Sequence, residues 1–335
     1  MRIYLAPMEG VIDHHLRQLL TKIGGIDLCT TEFIRVTEHT LPRKVFMRYC
    51  PELVSSKSPE LASSKSPELI AEQPCPVRVQ LLGSNPEVLA SNASKAARLG
   101  APGIDLNFGC PAKSVNRHRG GACLLDDTSL IADIVKQVRR ATPLHVPVSV
   151  KIRLGYENRD SGLRNAVAIE EAGADELVVH ARSKADGYKP PAYWNEIYEI
   201  QQALNIPVVA NGEIWTVDDY QRCVEQSGCQ NIMLGRGLLA RPDLGLQIRS
   251  KLAGENYHPF QWQDVAQYLY NFFHLTKDQY PKKYLGNRVK QWLHYLKITY
   301  PDAQTLFERI KKEKDEHILE NALSSFTSKP NTKVA

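Results

Sequence analysis

The 335-residue chain has no apolar run long enough to cross a bilayer and no C-x-x-C pair. It also has no G-x-G-x-x-G turn after its first strand-like run. The first absence argues against a membrane protein. The second, with an odd count of seven cysteines (29, 50, 75, 110, 123, 223 and 229), argues against a disulfide framework, a zinc knuckle and a thiolate iron–sulfur cluster. The third removes a Rossmann dinucleotide site. The opening MRIYLAPMEG lacks a long apolar leader and begins as a strand, so the expectation is a cytoplasmic protein. With 43% hydrophobic and 24% charged residues, the composition is that of an ordinary soluble chain.

The charge is uneven. Residues 282–312 hold eight Lys and Arg against Asp302 and Glu308, a net of +6, so the remainder sums to −1 within a total of +5. One basic block on a near-neutral body suits a polyanion; a solvated helix face is the plainer alternative.

Short apolar runs recur at Ile3–Met8, Leu28–Phe33, Val77–Leu82, Ile104–Phe108, Val148–Leu154, Leu177–Ala181, Ile206–Ala210 and Ile232–Leu234. Their starts are mostly 25–29 residues apart, one strand–helix unit each. Eight such units predict an α/β fold, a (β/α)8 TIM barrel. Gly25-Ile-Asp27, Gly103-Ile-Asp105, Gly173-Ala-Asp175 and Gly228-Cys-Gln230 precede four of the runs, as left-handed glycine helix ends would. After Leu239 the rhythm stops. The expected organisation is a catalytic barrel over 1–245, a C-terminal helical domain over 250–320 and a frayed tail over 324–335. A Ser/Pro-rich octad repeat, Pro51-Glu-Leu, Pro59-Glu-Leu, Pro67-Glu-Leu, reads as a surface loop over 51–75.

Barrel chemistry belongs at the C-terminal strand ends. There stand Ala6-Pro-Met-Glu-Gly10, Thr31-Glu-Phe-Ile-Arg35, Gln80, Asn107-Phe-Gly-Cys110, Lys151 with Arg153, His180-Ala-Arg182, Asn211-Gly-Glu213 and Gly235-Arg-Gly237. A Lys inside Val148-Ser-Val-Lys-Ile-Arg-Leu is rarely buried without a partner. Glycine turns after the seventh and eighth runs fit a phosphate cradle, with Arg236 adding charge. Together these suit flavin mononucleotide, with Lys151 stabilising negative charge on the reduced ring and Gln80 bonding its polar edge.

In this order and company, the motifs resemble the tRNA-dihydrouridine synthases. Asn287-Arg-Val-Lys-Gln-Trp-Leu293 and Arg35 resemble the bacterial C subfamily, associated with uridine 16 of the tRNA D-loop. The resemblance implies FMN, an NADPH- or NADH-dependent reduction of the uracil C5–C6 double bond, and a tRNA-gripping helical domain. It makes Cys110 the proton donor. It assigns FMN contacts to Pro7, Met8, Glu9, Gln80, Lys151, His180, Asn211, Gly212, Glu213, Gly235 and Arg236. It places Asn107, Arg153 and Tyr188 near the substrate, and Arg35, Arg288, Lys290, Tyr295 and Lys311 on the RNA. No metal is expected, and a monomer is.

A free thiol near pKa ~8.5 is mostly protonated at neutral pH and can act as an acid. Basic neighbours such as Lys113 and Arg117 would weaken it. Arg117-His-Arg119 departs from the small, glycine-like residues expected there; RNA phosphate and bare solvent both remain open for these arginines. The rival readings are a dihydroorotate dehydrogenase-like barrel acting on a free pyrimidine, a non-catalytic RNA-binding barrel, and a sugar-phosphate barrel enzyme.

Overall fold

Residues 1–54 and 75–327 are described by the structure, a computed structural model. Most of the octad repeat and the end of the tail lie outside the described residues. Nine strands form one sheet: β1 (Ile3–Leu5), β2 (Leu28–Thr30), β3 (Ile34–Arg35), β4 (Val77–Leu82), β5 (Ile104–Asn107), β6 (Val148–Gly155), β7 (Glu176–Ser183), β8 (Val208–Asn211) and β9 (Asn231–Leu234). All pairings are parallel, β1 pairs with both β2 and β9, and β2 pairs with β4, so the sheet closes. The result is an eight-stranded parallel barrel with alternating helices, the (β/α)8 architecture expected.

The continuous run Leu28–Phe33 is in fact broken. Cys29 and Thr30 sit opposite Val77 and Arg78, whereas Ile34 and Arg35 sit opposite Leu81 and Leu82. Between these pairings, three residues (Thr31, Glu32 and Phe33) face two (Val79 and Gln80), a bulge. Thr31 fills it by accepting the Gln80 N–H on its Oγ1 at 3.0 Å.

The repeated acidic residue after the glycine has a structural job. Asp27 accepts the Ile3 N–H at 2.6 Å, and Asp175 accepts the Val148 N–H at 2.7 Å, so each ties its strand's entry to the neighbour. Gly25, Gly173 and Gly228 are left-handed as the repeat predicts. Gly103 is not; Gly100, at φ +97°, ends that helix instead. Gly103 is required for another reason: a Cβ there would come within 2.9 Å of the Arg78 stem.

A strand's two-residue period sends alternate side chains inward. The inner face carries Tyr4, Ala6, Leu28, Val178, Val209 and Met233 as an apolar core. Beside them, buried Arg78 bonds Glu176, which also accepts the Tyr4 hydroxyl at 2.7 Å. This pair is satisfied and lies at the strand starts.

The described chain forms two compact units. One takes in Met1–His14, Ile26–Ile214 and Asp218–Gly235; the other takes in His15–Gly25, Trp215–Val217 and the chain from Arg236 onward. The second is helical, with helices at Leu244–Ala253, Trp262–Thr276, Asn287–Leu296, Pro301–Ile310 and Glu316–Ser324. Within it, Val289, Trp292, Leu293 and Leu296 bury one stripe of the Asn287–Leu296 helix, and the Trp292 indole donates to the Leu239 carbonyl at 3.1 Å. Among the described residues no helix is long and apolar enough to cross a membrane.

Candidate active site at the barrel mouth

Strand register brings the polar side chains together. Gln80 faces Asp105, Asn107 faces Lys151, Arg153 faces His180, and His180 faces Asn211 across adjacent strands. Asn107 and Asn211 end their strands, Gln80, Lys151 and His180 lie near the middle of theirs, and Arg153 lies two residues before the end of its own.

Lys151 donates to Asn211 Oδ1 at 2.9 Å, and Asn211 Nδ2 donates to the Met233 carbonyl at 2.8 Å. These bonds fix which way the Asn211 amide points. Burial, and then the Arg153 charge, push the Lys151 ammonium down to about 8, with Asp105 pulling the other way. The side chain keeps part of its surface open to the mouth.

The loop after β5 is clasped from several sides. Asn107 Oδ1 accepts the N–H groups of Gly109 and Cys110, both at 2.9 Å. Asn116 Nδ2 and the Ala122 N–H both donate to the Cys110 carbonyl, at 2.9 and 3.0 Å. Gly121, at φ +69°, is required because a Cβ would come within 2.8 Å of that carbonyl. The Cys110 side chain stays half-buried. Burial pushes its thiol up; the Ala112 N–H pulls down, Glu9 adds to the rise, and Arg153 and Arg35 pull down again. Burial prevails, and the cations acting on the thiol are Arg153 and Arg35, where the sequence had suggested Lys113 and Arg117.

Arg153 is buried and committed to main-chain oxygens. Nε donates to the Gly109 carbonyl at 2.8 Å, and Nη1 donates to those of Ser183 and Gly187, both at 3.0 Å. Its guanidinium lies 5.1 Å from the Tyr188 ring centroid, and Tyr188 meets the His180 ring edge-on at 6.0 Å. Arg153 therefore braces the cysteine loop against the loop after β7, with half-exposed Tyr188 above it. The Asn107 amide likewise bonds Gln80 and the cysteine loop, and so helps to fix the Cys110 backbone.

After β8, Gly212 (φ +115°) and Glu213 (φ +59°) both adopt left-handed backbone. Glutamate at such a φ is strained. Buried Arg182 holds it, donating to Glu213 Oε2 at 2.6 Å and to the Lys189 carbonyl at 2.7 Å. A Cβ on Gly212 would press to 3.3 Å from His180 Nε2. Gly235 lies beside Ala6 and Met8. Pro7 and Met8 are half-buried, and Glu9 is pushed up to about 7, first by desolvation and then by the Glu32 carboxylate. Arg35 is exposed at the end of β3. Arg236, in the second unit, stacks over Trp215 at 4.9 Å.

A lysine cation, two oriented amides, a histidine and glycine turns at one mouth form a donor set that fits an anionic, planar flavin phosphate. Among the described residues no group of three or more His, Cys, Asp or Glu could hold a metal.

Two residues of this network escape a reading of strand ends. Asp105 and Ser149 are buried one inward position below Asn107 and Lys151, and Ser149 Oγ donates to Asp105 Oδ1 at 2.6 Å. Their signal was the two-residue period itself.

In the second unit, Arg288, Lys290 and Tyr295 share the Asn287–Leu296 helix, each partly exposed. Lys290 Nζ donates to the Glu313 carbonyl at 2.5 Å, so it braces the unit. Lys311 is exposed and paired with Glu308 three residues before it.

Arg119 is exposed and left-handed, at φ +52°. A non-glycine residue there costs about 1–2 kcal/mol, partly offset by the chain entropy of glycine. Arg119→Gly is expected to raise stability by about 0.5–1 kcal/mol. Thermal melts check this, and a lower Tm would mean that the side chain makes native contacts. Unchanged tRNA affinity in the same variant would assign the side chain to solvent.

The dihydrouridine synthase (Dus) family model matches residues 4–329. A tRNA-dihydrouridine(16) synthase of Pseudomonas putida is 49% identical over 315 residues, 94% of each chain. One of Neisseria meningitidis serogroup B is 43% identical over 333 residues, 99% of this chain and 96% of that one. Among solved structures, a DHODH of Eimeria tenella in complex with ferulenol superposes with a TM-score of 0.53 at 12% identity, covering 76% of this chain and 81% of that one. A 2-naphthoyl-CoA reductase reaches 0.55 at 11% identity, covering 76% and 50%. Such distant likeness shows the barrel fold alone.

Proposed function

The chain belongs to the dihydrouridine synthase family and is an oxidoreductase that reduces uridine in tRNA; we propose that its target is uridine 16 of the D-loop and that Cys110 supplies the proton. Saturating the C5–C6 bond of uracil requires a hydride at C6 and a proton at C5. FMN, reduced by NADPH or NADH, supplies the hydride when bound. Gln80, Lys151, His180 and Asn211 would hold the ring at the barrel mouth, and the turns at Gly212 and Gly235 would take the phosphate.

The Cys110 Sγ holds the proton. The observation that carries this reading is a half-buried thiol, kept protonated by burial, on a loop fixed at both faces of its peptide unit. Arg153 and Asn107 keep that loop in place. Tyr188, half exposed above Arg153, offers a face on which the extruded base stacks. Lys151 places positive charge where negative charge gathers during reduction.

Cations of the helical unit supply phosphate contacts and a salt-dependent affinity. Arg288→Glu with Lys311→Glu is expected to weaken tRNA binding at least about tenfold at moderate salt and to flatten the log–log salt slope by about 1 per lost contact. The flavin stays bound. Equal affinity and slope in titrations of the variant would remove these residues from the RNA surface. Lys290 is a poor probe, since its loss also loosens the helices it ties.

The reading is tested by offering the purified yellow protein, with NADPH, unmodified tRNA and free uridine in parallel. Reduction of tRNA alone is expected. Comparable reduction of the free nucleoside would favour a free-pyrimidine reductase.

A further inference from the structure

Asp105 lies inside the barrel, 2% exposed, and has no assigned part in the chemistry above. Both its oxygens are committed. Oδ1 accepts from Ser149 Oγ and Oδ2 from Gln80 Nε2, each at 2.6 Å. Gln80 must then turn its Oε1 the other way, where it accepts Asn107 Nδ2 at 2.8 Å. Asn107 in turn presents Oδ1 to the N–H groups of Gly109 and Cys110.

Each side-chain amide in this row has one oxygen end and one NH2 end. Reversing either would set donor against donor or acceptor against acceptor in a buried site, where unmade bonds are costly. The far end is backbone N–H and accepts only one orientation. The near end is a carboxylate, which offers acceptors toward Gln80.

We propose that Asp105 is a positioning residue: its carboxylate sets the polarity of the Gln80–Asn107 row and thereby holds the Cys110 backbone, and with it the thiol, at the barrel mouth. Burial pushes the Asp105 carboxyl up, while its two bonds and the Arg78 and Lys151 charges pull it down. A proton resting on the Ser149 side would leave Oδ2 an acceptor, so the row keeps its sense in either state. The same row orients the second N–H of Gln80, the group expected at the flavin edge. The consequence for catalysis rests on Cys110 being the proton donor; the placement of the loop does not.

Hydrogen–deuterium exchange of the Gly109 and Cys110 amides in the holoprotein tests this, with alkylation of Cys110 by iodoacetamide as a second readout. Asp105→Ala is expected to speed exchange at these two amides about tenfold, the worth of one hydrogen bond, and to change the alkylation rate. Gln80→Glu sets two carboxylates against each other and is expected to do the same. Combining Gln80→Glu with Asp105→Asn restores the row, because the amide at 105 donates to the carboxylate at 80, which still accepts from Asn107. Protection near the wild-type level is expected in that pair. A purely space-filling Asp105 predicts otherwise. Unchanged exchange in Asp105→Ala, or a pair exchanging as fast as Gln80→Glu alone, would overturn the proposal. Turnover is not the readout, so a wrong assignment of the proton donor would leave these outcomes intact.

Discussion

Cys110→Ala is expected to slow dihydrouridine formation by about 10²- to 10⁴-fold, the usual contribution of a positioned acid, with flavin and tRNA binding unchanged. The reason is local. On the proposed reading the thiol is the proton source, and it sits on a loop whose backbone is held by Asn107, Asn116 and Ala122. Replacing Sγ–H by hydrogen leaves those bonds in place. Burial keeps the thiol protonated across the neutral range, so the wild-type rate should not fall on raising the pH from 6 to 8 through this group. Single-turnover reduction of tRNA by pre-reduced enzyme isolates the step. A rate within a few-fold of wild type would remove Cys110 from proton transfer.

The second large effect is at Lys151. Lys151→Met removes the cation that faces the developing negative charge and is expected to cost about 10²–10³ in rate. The wild-type rate should also fall where Lys151 loses its proton, at a pH above the about 8 of the cofactor-free protein because negative charge on the flavin favours the ammonium, and that limb should vanish in the Met variant. The sign for stability runs the opposite way. The folded pKa is lowered to about 8 from 10.5, so between those values the unfolded chain binds more protons than the folded one. Unfolding free energy of the cofactor-free protein therefore rises with pH across that window, and this rise is absent in Lys151→Met. Denaturant titrations at several pH values, paired with rate profiles, read both. Unfolding free energy of the cofactor-free wild type that stays flat through pH 8–10 would mean that Lys151 is not held below its ordinary value.

Much of the barrel was legible because buried parallel strands are continuous apolar runs bounded by turns. Val77–Leu82 matches its run, and Ile104–Asn107 and Val148–Gly155 differ from theirs by one residue at the end. The bulge at Thr31–Phe33 was not legible, since a hydrophobic run carries no mark of where its partner's register slips. The site was legible where polarity interrupted apolarity: Gln80, Lys151 and His180 stand out in their strands. Asp105 and Ser149 did not, although they share the inward face, because their roles depend on each other and on Gln80 across three strands. Arg153, expected near the substrate, also bonds three main-chain carbonyls, which nothing in its place along the sequence announces. Arg119 was noticed as a departure, and its left-handed backbone gives the physical reason why a small residue belongs there.

The central claim is tested most directly by mapping dihydrouridine at each D-loop position in tRNA from cells lacking this gene, then from the same cells carrying either the intact gene or the Cys110→Ala form. The account predicts that position 16 loses dihydrouridine on deletion, regains it with the intact chain, and stays uridine with Cys110→Ala. Dihydrouridine persisting at position 16 after deletion, or restored in full by the alanine form, would contradict it.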